Sequence, residues 1–198
     1  MNVLTNVLYW ISTGLLIPVI VLLMAAFIYA LLMLGGFYGG YMQRLKFKQK
    51  LENILSQIRD RKETINFLAQ FKGKTKFLTS LHNAEKMQWQ SIHTDKILAD
   101  FELAGEKELE SSRTLMRIGP MLGLMGTLIP MGPALVGLAS GDIAGMAMNM
   151  QVAFSTTVIG VFAGIVGFIT QLVKKRWFIE DLNNLQYIFD LNQQQESD

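Results

Sequence analysis

The chain has 198 residues, 51% of them hydrophobic, and its formal charge at pH 7 is only +2. It contains 17 glycines and 12 methionines but no cysteine, which excludes a disulfide framework and a thiolate metal site. This composition favours one membrane domain with a modest soluble part.

No charged side chain occurs in residues 1–43. Leu15 to Leu34 alone is long enough to cross a bilayer, since about 20 apolar residues span its hydrocarbon core. Tyr9 and Trp10 precede this segment, and because such aromatic side chains favour the headgroup level, we expect residues 2–14 to lie along the interface. Residues 1–43 are therefore predicted to be an N-terminal interfacial segment followed by the first transmembrane helix.

Glycines and aromatic residues fill the segment 35–41, which we expect to end the first helix. Arg44, Lys46, Lys48 and Lys50 follow at once. Cytoplasmic flanks of membrane helices are enriched in Lys and Arg, so the N-terminus is predicted to lie outside.

Residues 44–114 are predicted to form a helical cytoplasmic domain. Apolar residues recur at helical spacing from Leu51 to Ile58. A second amphipathic helix is predicted from about Asn83 to Met116, and we expect it to run without a stop into the second membrane helix.

Two features of this domain have a functional and a plain interpretation. The cluster Lys72, Lys74 and Lys76 suits a lipid or nucleic-acid patch, but acids on both sides favour a solvated loop, so no nucleic-acid partner is expected. His82 and His93 lack ligand-like spacing, and no metal site is predicted.

Residues 115–175 are predicted to form a transmembrane hairpin. The second membrane helix of the chain forms its first arm, from about Leu115 to Leu138. A turn follows at 139–142, and the third membrane helix starts near Met146. Asp142 suits either an ion-collecting role at the outer mouth or a cap on the third helix, and its Ser-Gly-Asp context favours the cap.

Three prolines in the second helix, Pro120, Pro130 and Pro133, are expected to kink it. Because proline removes a backbone donor, lipid-facing helices rarely tolerate it without neighbours. The second helix is therefore expected to be buried among others.

One face of the third helix is small and polar along its whole length. Its members are Asn149, Ala153, Thr156, Thr157, Gly160, Gly164, Gly167 and Gln171. The spacing of Gly160 and Gly164 is typical of close helix packing. On the second helix, Gly123 is the predicted packing residue. Packing alone would not need the amides and two threonines, so a water-lined or partner-contacting face is favoured.

Residues 176–198 are predicted to be a C-terminal cytoplasmic helix and tail. The cations at 174–176 return the chain to the cytoplasm. Leu182, Leu185, Ile188 and Phe189 then form a helical stripe, and residues 192–198 are expected to be frayed.

Two motifs lie on the consecutive helices of the hairpin: Arg-x-Gly-Pro-x-Leu-Gly-Leu-x-Gly-Thr at 117–127 and Ala-Phe-Ser-Thr-Thr-Val-x-Gly at 153–160. Paired in this way, over about residues 110–178, they resemble the MotA/TolQ/ExbB proton-channel family. The resemblance implies a pentamer whose second and third helices line a pore. That pore would enclose transmembrane helices of a smaller partner, similar to MotB, TolR or ExbD, whose membrane aspartate carries the ion.

The resemblance also assigns residues. Thr127 and Thr157 match the family's pore hydroxyls, whereas Val152 stands where TolQ-like and ExbB-like members carry an acid. The moving charge is therefore expected on the partner chain. With Thr156, Asn149 and Gln171 from the polar face of the third helix, Thr127 and Thr157 are the residues predicted to line the ion pathway.

Taken together, these features predict an all-α membrane protein with three transmembrane helices and a helical cytoplasmic domain. The predicted function is that of a channel or stator subunit, without enzymatic activity or cofactor, in an inner-membrane motor driven by protons or sodium ions. A non-conducting scaffold of an envelope complex and a transporter subunit are the alternatives. A transporter would be expected to contain inverted repeats, which the sequence does not reveal.

Overall fold

The computed structural model describes residues 2–55 and 75–194, and every regular element among them is a helix. The helices in chain order are α1 (Asn2–Gly14), α2 (Leu16–Leu55), α3 (Lys76–Lys86), α4 (Ser91–Ser140) and α5 (Ile143–Gln194). Three segments are long and apolar enough to cross a membrane: Asn6–Met42, Ser91–Ser140 and Ile143–Gln193. The predicted all-helical class with three membrane-crossing helices is confirmed at this level.

The first membrane helix extends further than the sequence predicted. The amide of Val19 donates to Leu15 O at 3.1 Å, so the backbone hydrogen bonds continue past the short break between α1 and α2. The expectation that segment 35–41 ends the helix is wrong, because α2 continues through it to Leu55. Each glycine costs a helix only about 1 kcal/mol relative to alanine and keeps its backbone donor, so the glycines weaken the helix without ending it.

The segment between α3 and α4 departs from the predicted single helix that starts near Asn83. Gln88 and Trp89 have positive φ angles of 56° and 60°, which reverse the chain before α4 begins at Ser91. Trp89 is fully buried, and its ring lies edge-on to Phe189 with centroids 6.1 Å apart. Burial of this large ring fixes a left-handed backbone that apolar periodicity does not reveal.

The helix α4 runs without a break from a charged N-terminal part into an apolar part that contains Pro120, Pro130 and Pro133. Its continuity into the membrane segment is therefore confirmed. The helix ends at Ser140, and Gly141 adopts a φ of +79°, the left-handed conformation that commonly follows a helix. Asp142 Oδ1 accepts a hydrogen bond of 2.9 Å from Gly145 N, which confirms Asp142 as the cap of α5.

The described residues form two compact units. The first lies within Met1–Phe37 and Ser111–Gln171, and the second within Tyr38–Glu110 and Leu172–Asp198. In the first unit, α2 packs on the hairpin of α4 and α5 through small and apolar side chains. They are Ala30, Leu115, Ala163 and Val166, with Ala26 and Met33 beside them, and Phe27 contacts Phe162 at a centroid distance of 5.6 Å.

In the second unit, the predicted C-terminal stripe forms half of a hydrophobic core. Leu185, Ile188 and Phe189 are buried, as are Phe77, Leu78, Leu81, Trp89 and Phe101. The expectation that Asn192 belongs to a frayed tail is wrong, since this side chain is fully buried and its Nδ2 donates to Ile188 O at 2.7 Å. Residues 195–198 and the lysines Lys72 and Lys74 lie outside the described residues.

Charged side chains connect four helices of the second unit. Lys76 Nζ lies 2.7 Å from the Glu108 carboxylate, and Lys174 Nζ lies 3.8 Å from it. The hydrogen bond from Lys76 holds the pKa of Glu108 below its ordinary value of 4.5, although partial burial of the carboxyl opposes this. Arg44 pairs with Asp181 and also donates to Trp177 O at 3.3 Å.

Candidate functional site

The hairpin of α4 and α5 is held together by direct contact between the two backbones. A Cβ added at Gly160 would lie 2.6 Å from Gly119 O and 2.7 Å from Gly123 Cα, and one at Gly164 would lie 2.6 Å from Pro120 Cγ. No side chain larger than hydrogen fits at these positions without moving the facing helix. The predicted packing residues Gly123, Gly160 and Gly164 thus lie at the contact.

Three further glycines lie at the contact and are not among the predicted packing residues. A Cβ added at Gly167 would lie 2.6 Å from Met116 N. Gly119 faces Gly160, and Gly126 faces Thr156, whose Oγ1 would be 2.6 Å from a Cβ at Gly126. The signal that identifies Gly119 is present in the sequence, because it precedes Gly123 by the same four residues that separate Gly160 from Gly164. No comparable spacing marks Gly126.

The contact brings the three predicted threonines to one level of the hairpin. A Cβ added at Gly123 would lie 3.4 Å from Thr157 Cα, and Gly126 faces Thr156. Thr127 follows Gly126 directly, so its hydroxyl and that of Thr157 lie at about the same height, and both residues are half-buried. Thr156 is only 5% exposed and packs inside the hairpin, and its predicted place on an ion path stays a prediction.

All three threonine hydroxyls donate to carbonyls of their own helices. Thr127 Oγ1 lies 2.7 Å from Leu124 O, Thr156 Oγ1 lies 2.9 Å from Ala153 O, and Thr157 Oγ1 lies 3.1 Å from that same carbonyl. A hydroxyl that donates in this way keeps its lone pairs for a further partner. The half-buried Thr127 and Thr157 can therefore accept a hydrogen bond from a protonated carboxyl or bind a cation.

The two predicted amides lie at opposite ends of the third-helix face. Asn149 is half-buried, and its Nδ2 donates to Gly145 O at 2.9 Å. At 1.5 Å of helix rise per residue, it lies about 12 Å from the level of Thr157, and Gln171 lies about 21 Å from it in the other direction. The structure thus gathers the threonines and leaves the amides apart from them.

The prolines are integrated into the same packing. Pro120 contacts Gly164, Pro130 is almost fully buried, and Pro133 is half-buried. The second membrane helix was expected to be buried among other helices because of its prolines. Within this chain, α5 provides part of that cover. The predicted kink role of these prolines stays a prediction.

Ionisable groups are nearly absent from the hairpin. Between Arg117 and Lys174 the sequence contains a single one, Asp142, and this exposed carboxylate caps α5 at the turn. The hairpin therefore offers hydroxyl groups at the threonine level but no group of its own that could carry a proton there. Any charge that crosses this level must come from another chain or from the ion itself.

Comparison with known proteins agrees with this geometry. No curated protein matches the chain. A sequence profile described as the MotA/TolQ/ExbB proton channel family matches residues 74–185, more than half of the chain, and the match covers all of α4 and most of α5. With three apolar helices in addition, this match indicates a multi-pass inner-membrane protein. The chain belongs to the MotA/TolQ/ExbB proton channel family.

Proposed function

We propose that this chain is the channel-forming stator subunit of an inner-membrane motor driven by the ion-motive force. Five copies form a ring around the transmembrane helices of a smaller, MotB-, TolR- or ExbD-like partner, and each copy presents Thr127 and Thr157 to the central pore. The observation that supports this most is the common level of these two half-buried hydroxyls in a hairpin without an ionisable group at that depth.

The energetics require such a polar level. An aspartate at mid-membrane costs about 3 kcal/mol on insertion scales, and hydroxyl groups reduce that cost because they offer hydrogen-bond partners. When the partner's aspartate is protonated, the free lone pairs of Thr127 and Thr157 accept its proton in a hydrogen bond. When the aspartate is ionised, the hydroxyls must rotate away from their own carbonyls to donate to it. Protonation thus changes which contacts are favourable.

The distribution of basic residues supports the proposed orientation. Arg44 follows the first membrane segment and Lys174 follows the third, so the positive-inside rule places both in the cytoplasm. The N-terminus then lies outside and the C-terminus inside. Asp142 and its turn face the outer side, where the cap is available to solvent.

A non-conducting scaffold is the second candidate function. The close packing of α4 against α5 at their glycines, called the glycine contact below, supports this function as well. Tight packing of Gly119, Gly123 and Gly160 is what a rigid structural hairpin needs, whether or not ions cross the complex. The two candidates differ in what the hydroxyls do. A scaffold tolerates loss of Thr127 and Thr157, whereas a channel does not.

The test is a measurement of ion flux through the complex purified from its native membrane and reconstituted into liposomes. We expect the double variant Thr127→Val and Thr157→Val to keep its oligomeric mass and lose at least about tenfold of its flux, because valine preserves the shape and removes the hydroxyl. Ser155→Ala is the matched control, since this exposed hydroxyl is two residues from Thr157 and donates to Gln151 O. Full flux in the double variant would leave the scaffold as the function.

A further inference from the structure

The end of the hairpin that carries Arg117 and Lys174 is called its basic end. Two buried polar atoms at this end have no hydrogen-bond partner among the described residues. They are Ser112 Oγ and Gln171 Oε1. Ser112 is only 1% exposed, so bulk solvent does not satisfy its hydroxyl. A buried polar atom without a partner is costly, and an ordered water or an ion is the usual reason for its presence in a folded protein.

The register of the two helices places both atoms in the same section of the contact. A Cβ added at Gly167 would lie 2.9 Å from Ser112 O and 2.6 Å from Met116 N, so α5 touches α4 beside Ser112. Gln171 follows Gly167 by four residues and shares its face. Because the helices are antiparallel, this next turn of α5 runs alongside the turn of α4 that contains Ser112.

The chemistry of the two atoms selects the ligand. Gln171 Oε1 only accepts hydrogen bonds, whereas the Ser112 hydroxyl donates one and accepts others. A water molecule complements this pair, since it donates to the amide oxygen and either accepts from or donates to the hydroxyl. An anion would meet an acceptor without a proton. The acid nearest to Ser112 on the same side of α4, Glu108 four residues before it, is already paired with Lys76 and Lys174, which leaves no unpaired charge there to hold a cation.

We propose that Ser112 and Gln171 hold one ordered water between α4 and α5, and that the closed contact beside it separates this structural water from the level of Thr157 within the hairpin. The second part follows from the glycine contact. Between Gln171 and the level of Thr157, positions 160, 164 and 167 of α5 press against the backbone or proline ring of α4, and a Cβ there would lie 2.6 Å from the nearest atom. A section too tight for a methyl group has no room for a chain of waters.

This assignment gives Gln171 a different role from the ion-pathway role that its place on the polar face predicts. The side chain closes the basic end of the hairpin around a fixed water and thereby holds α4 and α5 in register. It stands independently of the proposed channel function, because it needs only the two buried atoms and the closed contact beside them.

Brief X-ray radiolysis of the full chain in lipid nanodiscs, followed by mass spectrometry, tests for the water. Hydroxyl radicals formed from a bound water label side chains beside it, and Leu115, one turn from Ser112 and only 5% exposed, is the reporter. We expect its labelling rate to fall at least about threefold in the double variant Ser112→Ala and Gln171→Met, which removes both polar atoms at similar side-chain volume. Ser111→Ala, at the exposed neighbouring serine, is the matched control and should leave the rate unchanged.

Thermal stability completes the test. If both atoms share one water, the double variant should unfold at a temperature no lower than the worse single variant, because the second substitution removes a group that has already lost its ligand. Strictly additive losses, or an unlabelled Leu115 in the wild type, would refute the shared water.

Discussion

Substitution of Gly160 by alanine tests the central packing contact most directly. The added Cβ would lie 2.6 Å from Gly119 O, 2.7 Å from Gly123 Cα and 2.9 Å from Gly123 N, whereas ordinary Cβ contacts begin at 3.4 Å. All three neighbours are backbone atoms of α4, so no side chain can rotate away. The two helices must instead separate locally by roughly 0.7 Å, a gap that forfeits a quarter to a half of each dispersion contact around it.

Overpacking of this kind costs about 1–3 kcal/mol. For a chain of this size, each kcal/mol lowers the unfolding temperature by about 2–4 °C, so we expect a decrease of about 2–12 °C in Gly160→Ala. Circular dichroism of the purified protein in detergent measures it. Gly132→Ala is the matched control, because Gly132 lies in the same membrane segment and, apart from the backbone of its own helix, nothing lies within 4 Å of its Cβ position. That variant should be unchanged or slightly more stable, since alanine favours a helix.

A second methyl at the same contact sharpens the test. A Cβ at Gly119 would lie 2.8 Å from Gly160 O, so both substitutions open the same gap. The double variant Gly119→Ala and Gly160→Ala should therefore lose less stability than the sum of the two single variants. If Gly160→Ala unfolds at the temperature of Gly132→Ala, the close backbone contact is not present in the folded protein.

Two other predictions concern charged residues. Because Lys76 lowers the pKa of Glu108 below 4.5, this carboxylate stabilises the fold above that pH and the contribution disappears as the pH falls through the lowered pKa. Denaturant unfolding from pH 7 to pH 3 should therefore show a smaller acid-induced loss of stability in Glu108→Gln, and an unaltered pH profile would contradict the pairing. At the turn, Asp142→Ala should cost about 1 kcal/mol by loss of the α5 cap, while Asp142→Asn should keep most of that stability. Full flux in Asp142→Asn identifies the residue as a cap, whereas a large loss of flux at wild-type stability identifies it as an ion-collecting group.

Much of the membrane fold follows from hydropathy and turn chemistry. The three apolar helices, the turn with Gly141 and the cap at Asp142 each depend on neighbouring residues in the chain, so local reasoning finds them. The reversal at Gln88 and Trp89 depends instead on burial of the Trp89 ring against a helix that is about a hundred residues away in the sequence. Burial of Asn192 is likewise decided by packing in the second unit, and polarity alone gave the wrong answer there.

The candidate site shows the same division. The paired motifs identified Thr127 and Thr157 because each motif is contiguous along one helix. The burial of Thr156 and the position of Gln171 depend on the register between α4 and α5. A helical wheel assigns a residue to a face but does not say which part of that face the partner helix covers, and here the glycine contact covers its middle.

The closed hairpin also bears on how ion flow could produce work. Under the proposed function, one charge that crosses 100 mV releases about 2.3 kcal/mol. A single methyl group forced into the contact costs about 1–3 kcal/mol, so a slight separation of α4 from α5 would consume an amount of free energy comparable to all that one ion supplies. Packed contacts of this kind change between discrete arrangements and do not deform gradually. The free energy of the ion is therefore expected to move the partner, or a whole hairpin as a rigid body, past the level of Thr127 and Thr157, with the glycine contact intact throughout.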